Sequence, residues 1–200
     1  GVGFDLYVRL VGEAVASFRG ESDDTPAEIK IELPVDAHLP HDYVPHERLR
    51  LEMYKKLAAV VDGVELADIE AELLDRYGSP PQAVVNLLEV ARLRTVARAA
   101  GIADISVQGN HVRFGPVELR ESQELRLMRL HPGSIIKPAL GTILVPKPMT
   151  ARVGGRPVRD REVLAWAGEV ISSVAMDNVA QAAAVAASRA ERARPRKDSS

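Results

Sequence analysis

Between residues 47 and 101 apolar positions recur at the 3.6-residue period of helices, in three successive runs. Residues 47–61 place Leu49, Met53, Leu57 and Val60 inward, with Arg48, Glu52, Lys55 and Lys56 outward and Tyr54 beside the core face. Asp62–Gly63 breaks this helix and leads into a second, in which Leu66, Ile69, Leu73 and Tyr77 share one face. Gly78 supplies the stop, Ser79 is placed to cap the next helix, and Pro80–Pro81 suit its first turn. The third helix, over 81–100, turns Val84, Leu87, Leu88, Ala91 and Ala99 to one face. It carries Val85, Val90, Leu93 and Val96 on its other sides, so more than one flank is expected to be covered. Gly101 ends it. Short connections make the three helices one layer, with a helical hairpin at its centre.

On either side of this layer the period changes to two. Ile29, Ile31 and Leu33 alternate with Lys30 and Glu32, which predicts a half-buried strand over 29–35, ended or held at a sheet edge by Pro34. Ile105, Val107, Val112 and Phe114 alternate around Gly109–Asn110 and predict a β-hairpin. Residues 122–130 read as a short helix with Leu125, Leu127, Met128 and Leu130 apolar. Prolines 138, 146 and 148 interrupt the β-branched runs after it, predicting short edge strands. Residues 152–159 form a polar turn, and 162–175 a final helix with Val163, Trp166, Val170 and Val174 on one face. Trp166 is expected to anchor the core rather than stack on a base. The fold class is α+β: a layer of three or more helices, a small antiparallel β hairpin or sheet, and a C-terminal helix.

The ends of the chain differ from this domain, expected over 29–178. Residues 1–20 form a broad apolar helix face (Phe4, Leu6, Tyr7, Leu10, Val11, Ala14, Val15, Phe18) that needs a packing partner, here or in a preceding domain. The chain opens on Gly rather than Met, so a fragment of something longer is expected. Residues 21–28 are a polar linker. Residues 179–200 are Ala-rich and then basic, with Arg189, Arg192, Arg194, Arg196 and Lys197, and are expected to be a solubilising tail, disordered at its end.

Composition narrows the function classes. Of 200 residues, 46% are hydrophobic and 27% charged, enough to bury a core. A net charge of −2 gives the whole chain no basic field for DNA, and the absence of cysteine removes disulfides, thiolate metal sites and thiol nucleophiles. No apolar run reaches a membrane span and no secretory signal is visible, so a cytoplasmic location is expected, with no membrane partner. The sequence contains no P-loop, nucleophile elbow, His-Glu-x-x-His pair or dinucleotide fingerprint. His38, His41 and His46, with Asp42 and Glu47, invite a metal or hydrolase reading. Two prolines and an irregular spacing instead favour a capped polar loop. The expectation is an interaction or regulatory domain with no catalytic residue, metal or cofactor of its own. The main rival is an independent helical nucleic-acid-binding domain using Arg92, Arg94, Arg98 and the tail.

The polar side of the second helix is the candidate site. Glu65, Asp68, Glu72 and Asp75 make an acidic stripe. The helix dipole favours the first two at the N-terminus but not Asp75 in the last turn. Arg76 can pair with Glu72 at i+4, which makes the stripe a solvated face. The alternative is a docking face for a basic partner.

The run ELLDRYGSPP followed by ARLR resembles the C-terminal domain of Mfd, the bacterial transcription-repair coupling factors. So do GFDLYVRLVGEAV, IKIELPVDAHLPHDYV and RLRLEMYKKLA upstream. The resemblance covers residues 1–130 well and 131–175 more loosely. It implies that residues 1–20 end an ATP-driven translocation motor, whose ATP and magnesium sites lie outside this chain. It further implies that the terminal domain folds back on a UvrB-like N-terminal module of the same protein, masks UvrA binding, and restrains the DNA translocase that displaces stalled RNA polymerase. Two acids of the helix AELLDRYG meet basic residues of that module in the family. The matching positions are Glu72 and Asp75, with Glu65, Asp68 and Arg76 on the same surface.

Overall fold

The computed structural model describes residues 28–175. The expected motor helix at 1–20, the linker before residue 28 and the tail at 179–200 lie outside the described residues.

Alternation after the linker is longer than the strand it makes. Ile29, Ile31, Leu33, Val35, Ala37 and Leu39 are all buried. Only β1 (Lys30–Glu32) pairs in a ladder, because Pro34 has no N–H to donate. The chain then crosses through three helices, α1 (Glu47–Ala59), α2 (Gly63–Tyr77) and α3 (Gln82–Ala99), before β2 (Asp104–Gln108) and β3 (His111–Gly115). That crossover sets the sheet. β1 lies parallel to β2, with Ile31 opposite Ile105, rather than in the expected antiparallel arrangement, as a long helical connection allows and a tight hairpin cannot.

The remaining elements are α4 (Glu121–Leu130), β4 (Ile135–Lys137), a 3-10 turn (Pro138–Leu140), β5 (Thr142–Pro146) and α5 (Asp160–Val174). The five strands run in the order β1-β2-β3-β5-β4. β5 is therefore interior, not an edge: Pro146 falls at its last position and leaves the ladder groups of the residues before it free to pair with both neighbours. β1 and β4 are the edges.

Several local expectations change for identifiable reasons. Ser79 does not cap α3; Pro81 holds the N-cap position in an extended conformation, without a side-chain cap, and the helix begins at Gln82. The residue before a proline avoids the helical region, so Pro80 cannot begin the helix. α3 is buried on several flanks, through Val84, Leu87, Leu88, Val90, Ala91, Leu93 and Ala97, whereas Ala99 is exposed. It packs against α5 as well as α1 and α2, which explains its lack of a single apolar face. In β2, Ile105 and Ser106 are buried but Val107 is exposed, because the strand is covered only at its start and opens toward the Gly109–Asn110 turn. In α4 only Gln123 and Leu127 are buried, one i, i+4 stripe, while Leu125, Met128 and Leu130 face solvent.

The histidine loop is not wholly polar. Leu39 and Val44 are buried within it, and Leu39 N donates to the buried Tyr54 hydroxyl at 2.7 Å. Buried Asn86 ties the same segment to α3: its Nδ2 donates to Asp36 O at 2.8 Å and its Oδ1 accepts from Gln82 Nε2 at 2.8 Å. Trp166 is half-buried, with its ring 5.9 Å from Phe114 and 6.3 Å, edge-on, from His131.

The acidic face of helix α2

α2 is defined at both ends. The Asp62 side chain accepts from Glu65 N at 2.9 Å as the N-cap, and Gly78 takes φ +80° at the C-cap, a conformation that costs glycine little. Leu66, Ile69 and Leu73 are buried, with Leu66 and Leu73 almost fully enclosed. The C-terminal turn is pinned by Tyr43 from the histidine loop, whose hydroxyl donates to Gly78 O at 2.9 Å and lies 3.3 Å from Leu73 O. Burial, reinforced by the neighbouring Tyr77, pushes the Tyr43 phenol above its usual range. The two rings are 5.7 Å apart, and the Arg76 guanidinium sits 5.3 Å over the Tyr77 ring.

With its inner face fixed, α2 must turn the four acids outward, but not all in one direction. At 100° per residue, Glu65 and Glu72 lie roughly 60° round the helix from Asp68 and Asp75. The first pair is engaged within the domain. Glu65 Oε2 accepts from Val61 N at 3.0 Å, closing the α1–α2 connection. Glu72 takes Lys56 Nζ of α1 at 2.9 Å on each carboxylate oxygen and Arg76 Nη1 at 3.2 Å. The Lys56 hydrogen bond leads in holding the Glu72 carboxyl below its ordinary range, against a desolvation that pushes the other way.

The second pair is free. Asp68 and Asp75 are exposed, and among the described residues neither takes part in an ion pair. They share a helical face with exposed Val64 and Ala71, at i, i+4, i+7 and i+11. The single stripe read from the sequence is thus two edges, one closing the domain and one open to solvent. The Glu72–Arg76 pair follows from i+4 spacing. Lys56 could not be assigned to Glu72 from the sequence, because the crossing of α1 and α2 decides it.

The other candidates are not assembled. Arg92 pairs with Glu70 of α2 at 2.7 Å and with Glu89 at 3.6 Å, and Arg94 and Arg98 also interact within the chain. The arginines of α3 therefore offer no row of free cations to a phosphate backbone. His38 Nδ1 lies 3.0 Å from Asp36 Oδ1. Among the described residues no group of three or more His, Asp or Glu side chains is arranged to hold a metal ion. Among the same residues no helix is long and apolar enough to cross a membrane.

Comparison with known proteins adds to this geometry. A family model described as the TRCF domain matches residues 33–127. The chain is 40% identical over 187 residues to the transcription-repair-coupling factors of Mycobacterium tuberculosis and Mycobacterium bovis, an overlap of 88% of this chain and 15% of each relative. It is 39% identical over 113 residues to that of Staphylococcus haemolyticus, covering 56% of this chain and 10% of the relative. It thus spans about 15% of the length of the mycobacterial relatives. A crystal structure of the C-terminal domain of a transcription-repair coupling factor shares the fold, with a TM-score of 0.61 at 16% identity, over 80% of this chain and 99% of that one.

Proposed function

The chain carries a TRCF domain and corresponds to the C-terminal region of a transcription-repair coupling factor, and from that premise we propose that it is the autoinhibitory docking domain of its parent. In this reading α2 lays its open acidic edge on a basic surface of the UvrB-like N-terminal module. Docking covers the surface that recruits UvrA and restrains the ATP-dependent translocase that acts on RNA polymerase and DNA. The TRCF domain is not a motor domain, so its part would be to bind and release, with the motor's ATP and magnesium held elsewhere.

The observation that carries the proposal is the unpaired state of Asp68 and Asp75 on a helix whose other acids are all employed. A carboxylate in the last turn of a helix is opposed by the helix dipole. Asp75 has no cation within the described domain to offset that, and a basic partner surface would supply one. Glu72 contributes differently. With both oxygens on Lys56, it holds α1 against α2 and keeps the docking edge in place.

The test is made in the full-length parent with Asp68→Lys and Asp75→Lys. Rim charges change affinity modestly, whereas a desolvated partner lost from an interface costs ~2–5 kcal/mol. A loss of ~2.7 kcal/mol shifts a closed–open balance about a hundredfold. The expected outcome is raised ATPase activity without RNA polymerase and tighter UvrA binding. Unchanged values for both, in a protein that still folds, would refute the docking role of this edge.

A further inference from the structure

The C-terminal third of the domain has the opposite charge character. From residue 125 to residue 159 there are seven lysines and arginines and no Asp or Glu. Neither Lys147 nor Arg152 takes part in an ion pair seen among the described residues. The same stretch carries seven of the twelve large hydrophobic residues left exposed among the described residues, Leu130, Met149 and Val153 included. Cations without acidic neighbours in sequence and bare apolar side chains therefore concentrate in one segment.

Part of that segment builds a groove. Leu130, Lys147, Pro148, Met149, Arg152 and Trp166 line an open cavity of about 470 Å³ between the end of α4, the end of β5 and α5. Its outer wall is an ordered hairpin. Thr150 N donates to Arg156 O at 2.8 Å, Arg156 N to Thr150 Oγ1 at 3.0 Å, and Val158 N to Pro148 O at 2.9 Å. The turn closes so tightly that a Cβ on Gly155 would clash with the backbone of Ala151. Burial lowers the pKa of His131 at the groove floor, with Glu169 opposing, so the imidazole is neutral at pH 7.5 and the groove's cations are Lys147 and Arg152.

We propose that this groove docks an acidic protein segment carrying apolar anchors, on a face of the domain separate from the acidic edge of α2. The cations complement acids on the partner. Met149, Leu130 and the half-buried Trp166 supply the aromatic, Met and aliphatic surface that protein interfaces concentrate at their centres. A nucleic-acid backbone would use the cations and leave the apolar residues uncovered.

Trp166 is the only tryptophan of the chain and reports on the groove directly. The 200-residue chain is titrated, with Trp166 emission as readout, against three probes: a helical peptide of Glu with Leu and Phe at i, i+4 spacing, a polyglutamate peptide of equal charge, and a short DNA duplex. The amphipathic acidic peptide is expected to shift the emission saturably. Its affinity should fall by about tenfold or more in Lys147→Glu/Arg152→Glu and again in Met149→Asp, with folding of each variant checked by its melting curve. Equal binding of polyglutamate, a Trp166 response to DNA but not to the peptide, or no response to any probe would each overturn the proposal. So would full retention of peptide affinity in both folded variants.

Discussion

Glu72 occupies a position where an acid has two separable consequences. It cross-links α1 to α2 through Lys56, and it lies on the helix proposed to dock. A charge reversal there would set a lysine against Lys56 and Arg76, so loss of docking could not be told from loss of the cross-link. Asp68 and Asp75 carry no such internal duty and are the cleaner positions. The cross-link itself is modest, since pairs this close to solvent contribute ~0–1 kcal/mol. Glu72→Gln is therefore expected to lower stability at pH 7 by no more than that. The Glu72 carboxyl has a folded pKa depressed from 4.5. Its contribution is thus fully present above that value and is lost as pH falls through the lower folded value. Denaturant melts of wild type and Glu72→Gln should differ at pH 7 and draw together as the pH is lowered below 4.5; a gap that does not narrow on acidification would contradict the assignment.

At the scale of elements, periodicity was informative wherever one face alone is buried. α1, α2 and α5 were legible because Met53, Leu57, Leu66, Leu73, Val163 and Val170 repeat at helical spacing toward one core. α4 was legible as a helix but not in its burial, since nothing in the pattern of Leu125, Leu127 and Met128 reveals that only Leu127 meets a neighbour. Strand partners were not legible either. The parallel pairing of β1 with β2 and the interior place of β5 depend on how the chain returns across the sheet, which short strands cannot specify. α2 shows the same division: the acids and Arg76 were visible in the sequence, and which acid is engaged within the domain was decided by α1. Because α2 is held by its apolar stripe, Leu66→Ala should destabilise the domain by ~2–5 kcal/mol, measured by denaturant unfolding, whereas Asp75→Lys should leave stability nearly unchanged. A small effect of Leu66→Ala would show that α2 is not anchored through its fully buried leucine.

At the scale of the molecule, charge is segregated rather than absent. A net charge of −2 conceals an open acidic edge on α2 and an acid-free basic segment from 125 to 159. The proposed docking uses the first, and a partner with a basic surface would be attracted to it and screened by salt over about 10 Å at 0.1 M. The most direct measurement is the calorimetric affinity of this chain for the isolated N-terminal module proposed as its partner, at low and high salt, for wild type and Asp68→Lys/Asp75→Lys. The account predicts binding by the wild-type chain that weakens as salt rises, and a loss of about tenfold or more in the variant at low salt. Equal affinity of the two folded proteins at low salt, or the absence of wild-type binding, would contradict it.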